Sequence, residues 1–189
     1  MKQLLMVRLP GLVEIPKLPE GFSLRTYREG DWKGWVEACA DGLGTADWTE
    51  KDFHEKMLAM EGLNPEGIFF IVDSAGQIAG TATGWLKPEH GYVHMVGMRT
   101  DFRGKGLAKP LNAAVVKYLL EKGCDRIVLD TDDFRIPAIK VYLGLGFVPV
   151  LQDVDMRARW VAVMRALGLK ALDAFDAPVG KLITLIMES

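Results

Sequence analysis

Cysteine is scarce, neither sign of charge is in excess, and no apolar run is long. Cys39 and Cys124 stand alone and far apart. That spacing excludes both the dense cross-linking of a small secreted scaffold and a C-x-x-C metal pattern, so a reducing, cytoplasmic location is the expectation. Lys and Arg number 23 against 25 Asp and Glu, for a formal charge of −2. No polybasic face is offered to nucleic acid or to a membrane, and any anion site must be local. No uninterrupted apolar stretch approaches the roughly 20 residues that cross a bilayer; the run Leu182 to Met187 falls far short. Near the start, Leu4 to Val7 is closed by Arg8 and Pro10 without a small-residue cleavage site, which reads as a first strand and not as an export signal. His54, His90 and His94 have no metal-ligand spacing, so no metal is expected.

Hydrophobic residues make up 49% of the 189 and charged residues 25%, enough apolar material for a real core; at this length one domain is the default and two small ones are the alternative. A strand and connector are expected over residues 1–21, the connector carrying Pro10, Pro16 and Pro19. A main domain follows over 22–151, then a C-terminal helix and tail over 152–189 packed on it. Phe22 to Tyr27 alternates as a strand, and Asp31 is the expected N-cap of a helix through Ala40 with Trp32, Trp35, Val36 and Cys39 at helical spacing. Thr49 and Asp52 make a near relative of the capping box before a helix that aligns Phe53, Met57 and Met60. Gly67 to Val72, Gln77 to Leu86 and Tyr92 to Met98 read as an antiparallel meander. The period then turns helical from Gly106, through Leu107, Leu111, Val115 and Leu119, and ends at Gly123. Arg126 to Thr131 is a strand, Pro137 to Leu145 a helix, Phe147 to Leu151 a strand, and Asp155 to Leu167 a helix closed by Gly168. Leu182 to Met187 has the composition of an edge strand, without an identifiable partner. The strand-helix-strand order favours a parallel pair in an otherwise antiparallel sheet.

The segment Met98 to Lys109 passes from strand to helix across two glycines. It carries Arg99, Arg103, Lys105 and Lys109 against the single acid Asp101. Outward-pointing amides at a helix start carry the positive end of its dipole, and glycines let a phosphate approach the backbone. The Walker A pattern fails here because the second half and its hydroxyl are missing, and the dinucleotide fingerprint fails because Lys109 stands at the third glycine. The segment resembles the acetyl-CoA-binding motif of the GCN5-related N-acetyltransferase (GNAT) family, Q/R-x-x-G-x-G/A, matched by Arg103, Gly106 and Ala108. Ala138 to Phe147, with Tyr142 and Gly146-Phe147, sits where that family has a second helix ending in a Tyr and a Gly-Phe.

The resemblance implies an α/β (α+β) GNAT fold: a mixed, largely antiparallel central sheet with a splayed parallel pair, flanked by helices. It implies acetyl-CoA as co-substrate, its pyrophosphate held by the amides of Arg103, Gly104, Lys105, Gly106, Leu107 and Ala108. The pantetheine arm would lie along Val96, Gly97 and Met98, with Gly97 either at a bulge or at a point of tight packing. Tyr142 matches the family's general acid; a phenol with a pKa of about 10 stays protonated beside a departing thiolate whose thiol has one of about 8.5. Arg135 stands where the family often has an Asn, and it can pair with phosphate. Asp132 and Asp133 either cap the following helix or face a cationic substrate. His94 and Glu89 are the candidate bases.

The expected activity is N-acetyl transfer from acetyl-CoA to a primary amine by direct attack, and the alternative is a non-catalytic acyl-CoA-binding sensor or interaction module. The acceptor pocket is expected from Trp32, Trp35, Asp47, Trp48, the loop Lys87 to Gly91 and the segment after Phe147. Neither nucleic acid nor membrane is an expected partner, and monomer and homodimer are both open.

Overall fold

The computed structural model describes residues 2–40, 42–178 and 180–187, and the backbone alone of Val154. In chain order the elements are β1 (Leu4–Arg8), β2 (Phe22–Thr26), α1 (Trp32–Cys39), α2 (Glu50–Phe53), β3 (Ile68–Asp73), β4 (Ile78–Lys87) and β5 (His90–Met98). They continue with α3 (Ala108–Glu121), β6 (Ile127–Thr131), α4 (Ile136–Leu143), β7 (Val148–Leu151), α5 (Val154–Leu167), β8 (Ala171–Asp176) and β9 (Lys181–Ile186). They belong to two compact units, Pro10–Ile127 and Met1–Leu9 with Val128–Ser189. The ends of the expected 1–21 and 152–189 segments, at Met1 and at Glu188 and Ser189, lie outside the described residues.

In the first of these, β3-β4-β5 form the expected antiparallel meander, and β2 extends it by pairing antiparallel with β3. Asp73 starts its first turn by accepting hydrogen bonds from the amides of Ala75 and Gln77, the usual local chemistry of Asp in turns. The second turn is tighter than the sequence suggests, because His90 already pairs with Lys87 and only Pro88 and Glu89 lie between. Gly67, just ahead of β3, and Gly84 on β4 make room for the Tyr118 ring of α3. Against α1 and α2 lies a cluster in which Trp35, fully buried, stacks on Trp48 at 5.3 Å and meets Phe53 edge-on at 5.2 Å. Trp35 is therefore core, not a ligand wall. Thr49 and Asp52 do form a capping box. Asp31 precedes α1 without capping it; its carboxylate accepts both terminal nitrogens of Arg25, at 2.6 and 2.8 Å, and the Arg28 amide. A guanidinium fork offers that carboxylate two parallel charge-assisted bonds, which outweigh one neutral cap.

In the other unit the strand order is β6-β1-β7-β8-β9, with β1 antiparallel to β7, β7 parallel to β8, and β9 antiparallel on the edge. Both parallel and antiparallel pairs are thus present, flanked by helices. Leu4 and Met6 are fully enclosed, and the buried Arg8 donates to the Leu145 carbonyl. Asp153 caps α5 by accepting from the Met156 amide, and Gly168 ends it in the left-handed region. That helix buries Met156, Trp160, Val163 and Met164. Asp132 and Asp133 are not caps. Asp132 pairs with Arg135 at 2.9 Å and Asp133 with Arg159, whose remaining nitrogen donates to the Lys2 carbonyl. Charge pairing again takes carboxylates that the sequence offers to helix ends.

Candidate functional site

The loop after β5 is a chain of specific conformations. Arg99 leaves the strand, Thr100–Phe102 makes one 3₁₀ turn, Arg103 is extended, and Gly104 and Gly106 adopt φ of +74° and +75° before α3 begins at Ala108. Only glycine takes those angles without cost. No side chain caps α3 at Leu107. Pro110 in its first turn has no N–H, and among the described residues none of the amides from Gly104 to Lys109 donates to another backbone group. These donors collect at the positive end of a 14-residue helix, the arrangement that receives anions. Arg103 to Gly106 are all exposed.

Two of the basic side chains, Arg99 and Lys105, are anchored on one ring. Phe102 is buried and carries the Arg99 guanidinium at 5.2 Å and the Lys105 ammonium at 4.7 Å from its centroid. Arg99 also binds Glu37 at 2.9 Å and Asp101 at 2.8 Å, and its guanidinium holds the exposed Asp101 carboxyl below the usual range. Arg103 donates from Nε to the Met98 carbonyl at 3.2 Å. A recess of about 600 Å³ opens beside Arg99 and Glu37, between α1 and the start of β4.

The strand ahead of the loop is bulged. Thr81 opposes Gly97 but Thr83 opposes His94, so Met95 and Val96 together face the single residue between. Met95 is, among the described residues, the non-glycine residue held at positive φ, +49°. A bulge takes one residue out of the ladder and bends the strand, and an unbranched non-glycine residue in this region stores backbone strain of the kind found at working sites. The bulge therefore sits one position before Gly97. Gly97 has the other expected role: a Cβ there would overlap the Ala38 carbonyl oxygen, so its missing side chain lets the end of α1 close on β5.

The candidate bases differ in position. His94 adjoins the bulge, whereas Glu89 is exposed in the turn at the far end of β5, about 20 Å from Met95 at the usual rise per strand residue. Burial and the nearby Lys87 charge push the His94 pKa down to about 4, against an opposing hydrogen bond with the Lys56 backbone. His94 is therefore an uncharged acceptor at neutral pH.

In the other unit, Tyr142 lies on α4 with 6% of its surface exposed and its ring edge-on to Phe147 at 6.0 Å. Burial pushes its pKa up to about 12, with the Arg135 charge acting in the opposite sense. The phenol thus keeps its proton throughout the neutral range. Arg135 precedes α4, paired with Asp132 and lying over the exposed Phe134 ring at 5.2 Å. Sequence reasoning missed Met95, whose positive φ has no signal in its residue type, and Phe102, whose role beneath two cations depends on the 3₁₀ turn.

The chain is similar to known proteins. The family model described as "Acetyltransferase (GNAT) family" matches residues 26–147. A mycothiol acetyltransferase of Arthrobacter sp. (strain FB24) is 33% identical over 148 residues, 72% of this chain and 46% of that protein. One from Thermobispora bispora is 31% identical over 156 residues, 75% of this chain and 52% of that protein. The chain spans about half the length of these curated relatives. Among solved structures, a GCN5-related N-acetyltransferase from Sphaerobacter thermophilus has a TM-score of 0.65 at 25% identity, covering 79% of this chain and 49% of that one. Glucosamine-6-phosphate N-acetyltransferase from Arabidopsis thaliana, at 21% identity, shares the fold with a TM-score of 0.53 over 64% of this chain and 89% of its own. By the family match, which takes in the meander, the glycine turn and the Tyr142 helix, the chain belongs to the GNAT acetyltransferase family.

Proposed function

We propose that this protein transfers an acetyl group from acetyl-CoA to a primary amine by direct attack within a ternary complex. The observation that carries the reading is the turn Arg103 to Ala108, where two left-handed glycines leave the amides from Gly104 to Ala108 without a backbone acceptor ahead of an uncapped helix; the Arg103 amide, expected among them, is taken by the Thr100 carbonyl at 3.2 Å. These residues fit a diphosphate, which needs several converging N–H donors and tolerates no side chain between itself and the backbone. Arg103 and Lys105 supply counter-charge, and Val96, Gly97 and Met98 are the backbone for the pantetheine arm. When bound, acetyl-CoA supplies an activated thioester. The relatives' shared name supports acetyl as the group moved.

The protein's own part is then to orient and to move protons. Tyr142, protonated up to high pH, is suited to give its proton to the departing sulfur. His94, beside the bulge and uncharged, is better placed than Glu89 to accept a proton from the incoming amine through water, although its low pKa makes it a weak base. Direct attack needs no protein nucleophile. Burial holds the Cys39 thiol far above its ordinary pKa and raises that of Cys124 as well, so neither is disposed to form a thiolate.

The test is a panel of primary amines incubated with acetyl-CoA while free thiol release is followed, together with calorimetric titration of CoA. Transfer to at least one amine with micromolar-range CoA binding is expected. Absence of CoA binding would overturn the reading, and binding without turnover on any amine would favour a sensor.

A further inference from the structure

The β4–β5 hairpin carries a second constellation that the acetyl-transfer reading does not use in full. Its register sets Trp85 opposite Tyr92, Lys87 opposite His90 and Thr83 opposite His94. Side chains two apart on a strand share a face, and so do directly opposed residues. Trp85, Lys87, Tyr92 and His94 therefore project from one surface.

Their rings make a corner. The Trp85 and Tyr92 centroids are 6.1 Å apart with planes at 87°. His94 closes the third side, 5.4 Å from Trp85 and 5.9 Å from Tyr92. Into this corner Lys87 places its ammonium, 4.3 Å from one centroid and 4.1 Å from the other. Trp85 is held by its Nε1 donating to the Glu61 carbonyl at 2.8 Å, a bond in the plane of the indole that leaves its face available. All four side chains are part-exposed, so the corner opens to solvent.

One lysine over one ring is ordinary surface packing. Two rings at right angles, each within the roughly 6 Å over which a ring face attracts a cation, form the beginning of an aromatic cage. The third wall suits a cation as well, because an imidazole whose pKa lies near 4 has no charge to repel one at neutral pH. No carboxylate among the described residues pairs with Lys87. A group held by ring faces alone leaves N–H donors without protein acceptors, and a quaternary ammonium has none to satisfy.

We propose that Trp85, Tyr92 and His94 form a binding site for a quaternary ammonium group, with Lys87 as its internal occupant. Lys87 competes with the ligand, so removing its charge strengthens binding. The site needs no acetyl-CoA, and its test reads binding alone, so the failure of this inference and of the transferase reading are separable.

The experiment titrates choline and its neutral isostere 3,3-dimethyl-1-butanol into the protein and into Lys87→Met, reading heat and the Trp85 indole N–H resonance. Lys87→Met should bind choline at least tenfold more tightly than the unaltered protein, about the effect of losing one desolvated cation–π competitor. The alcohol should bind neither. Tyr92→Leu in the Lys87→Met background should abolish the gain, with a circular dichroism melt confirming the fold. If that variant fails to fold, the choline-to-alcohol comparison on Lys87→Met still decides. A parallel titration with Nα-acetyl-trimethyllysine amide separates a free small molecule from a methylated lysine side chain, whichever binds more tightly. Equal binding of choline and the alcohol, or no binding of either ammonium probe to Lys87→Met, overturns the proposal.

Discussion

The carbonyl oxygen of Ala38 occupies the space that a side chain on Gly97 would need. The obstacle is backbone at the end of α1, which cannot swing away as a flexible side chain could. Gly97→Ala should therefore push α1 off β5 and cost roughly 1–3 kcal/mol, the usual penalty for overpacking. It should also weaken CoA binding, because the displaced strand leads directly into the loop. Chemical denaturation and calorimetry check both effects; an unchanged midpoint would show that α1 is not seated here as described.

Gly106 presents the opposite case. Nothing lies within 4 Å of a Cβ at Gly106, yet its φ is +75°. Gly106→Ala should cost about 1–2 kcal/mol through backbone conformation alone, and the loss of CoA affinity should exceed what that stability change explains. Lys105→Ala should instead leave stability nearly unaltered and reduce the dependence of CoA affinity on salt. Titrations at two ionic strengths separate these outcomes, and equal salt slopes would remove Lys105 from the phosphate site.

Tyr142→Phe keeps the ring against Phe147 and removes the proton. Turnover should fall by a factor of about 10² to 10⁴, the range for a positioned acid, while CoA affinity holds. The folded protein keeps the phenol protonated to about pH 12, against an ordinary value of 10.0. Its contribution to stability is thus whole below pH 10 and is lost as pH rises toward 12. Melts across that interval should decline less steeply for the Phe variant. A turnover equal to that of the unaltered protein would end the acid assignment.

Much of this was legible in the sequence because periodicity and punctuation agreed. The meander, the long helix ending at Gly123 and the helix ending at Gly168 each had both an apolar period and a stop signal. β8 was missed because its residues, ALDAFD, include three Ala or Asp in the first four and resemble a loop; its strand state comes from pairing with β7 and β9. The carboxylates were misplaced for a related reason. Asp31, Asp132 and Asp133 stand where caps belong, but arginines take them instead: Arg25 and Arg135 from three to six residues away, and Arg159 from a separate helix that only the tertiary structure brings near. The glycine turn was readable because φ is written in residue type there, whereas Met95 gives no such warning.

His94 provides the sharpest test of how far the environment has moved a side chain from its sequence expectation. An ordinary histidine would titrate near 6.5 and switch within the working range. Here burial and the Lys87 ammonium favour the neutral ring and bring the value to about 4. The unfolded chain then binds a proton that the folded one refuses between those two pH values, so stability is complete above about pH 6.5 and falls as pH drops toward 4. His94→Gln, which cannot charge, should flatten that decline, and Lys87→Met should raise the His94 pKa by removing one of its two causes. NMR titration of the imidazole checks this. An acid limb in the rate profile near pH 6.5 should survive His94→Gln, since a group with a pKa of about 4 cannot produce it; its disappearance in that variant would mean that the ring titrates normally and is open to solvent.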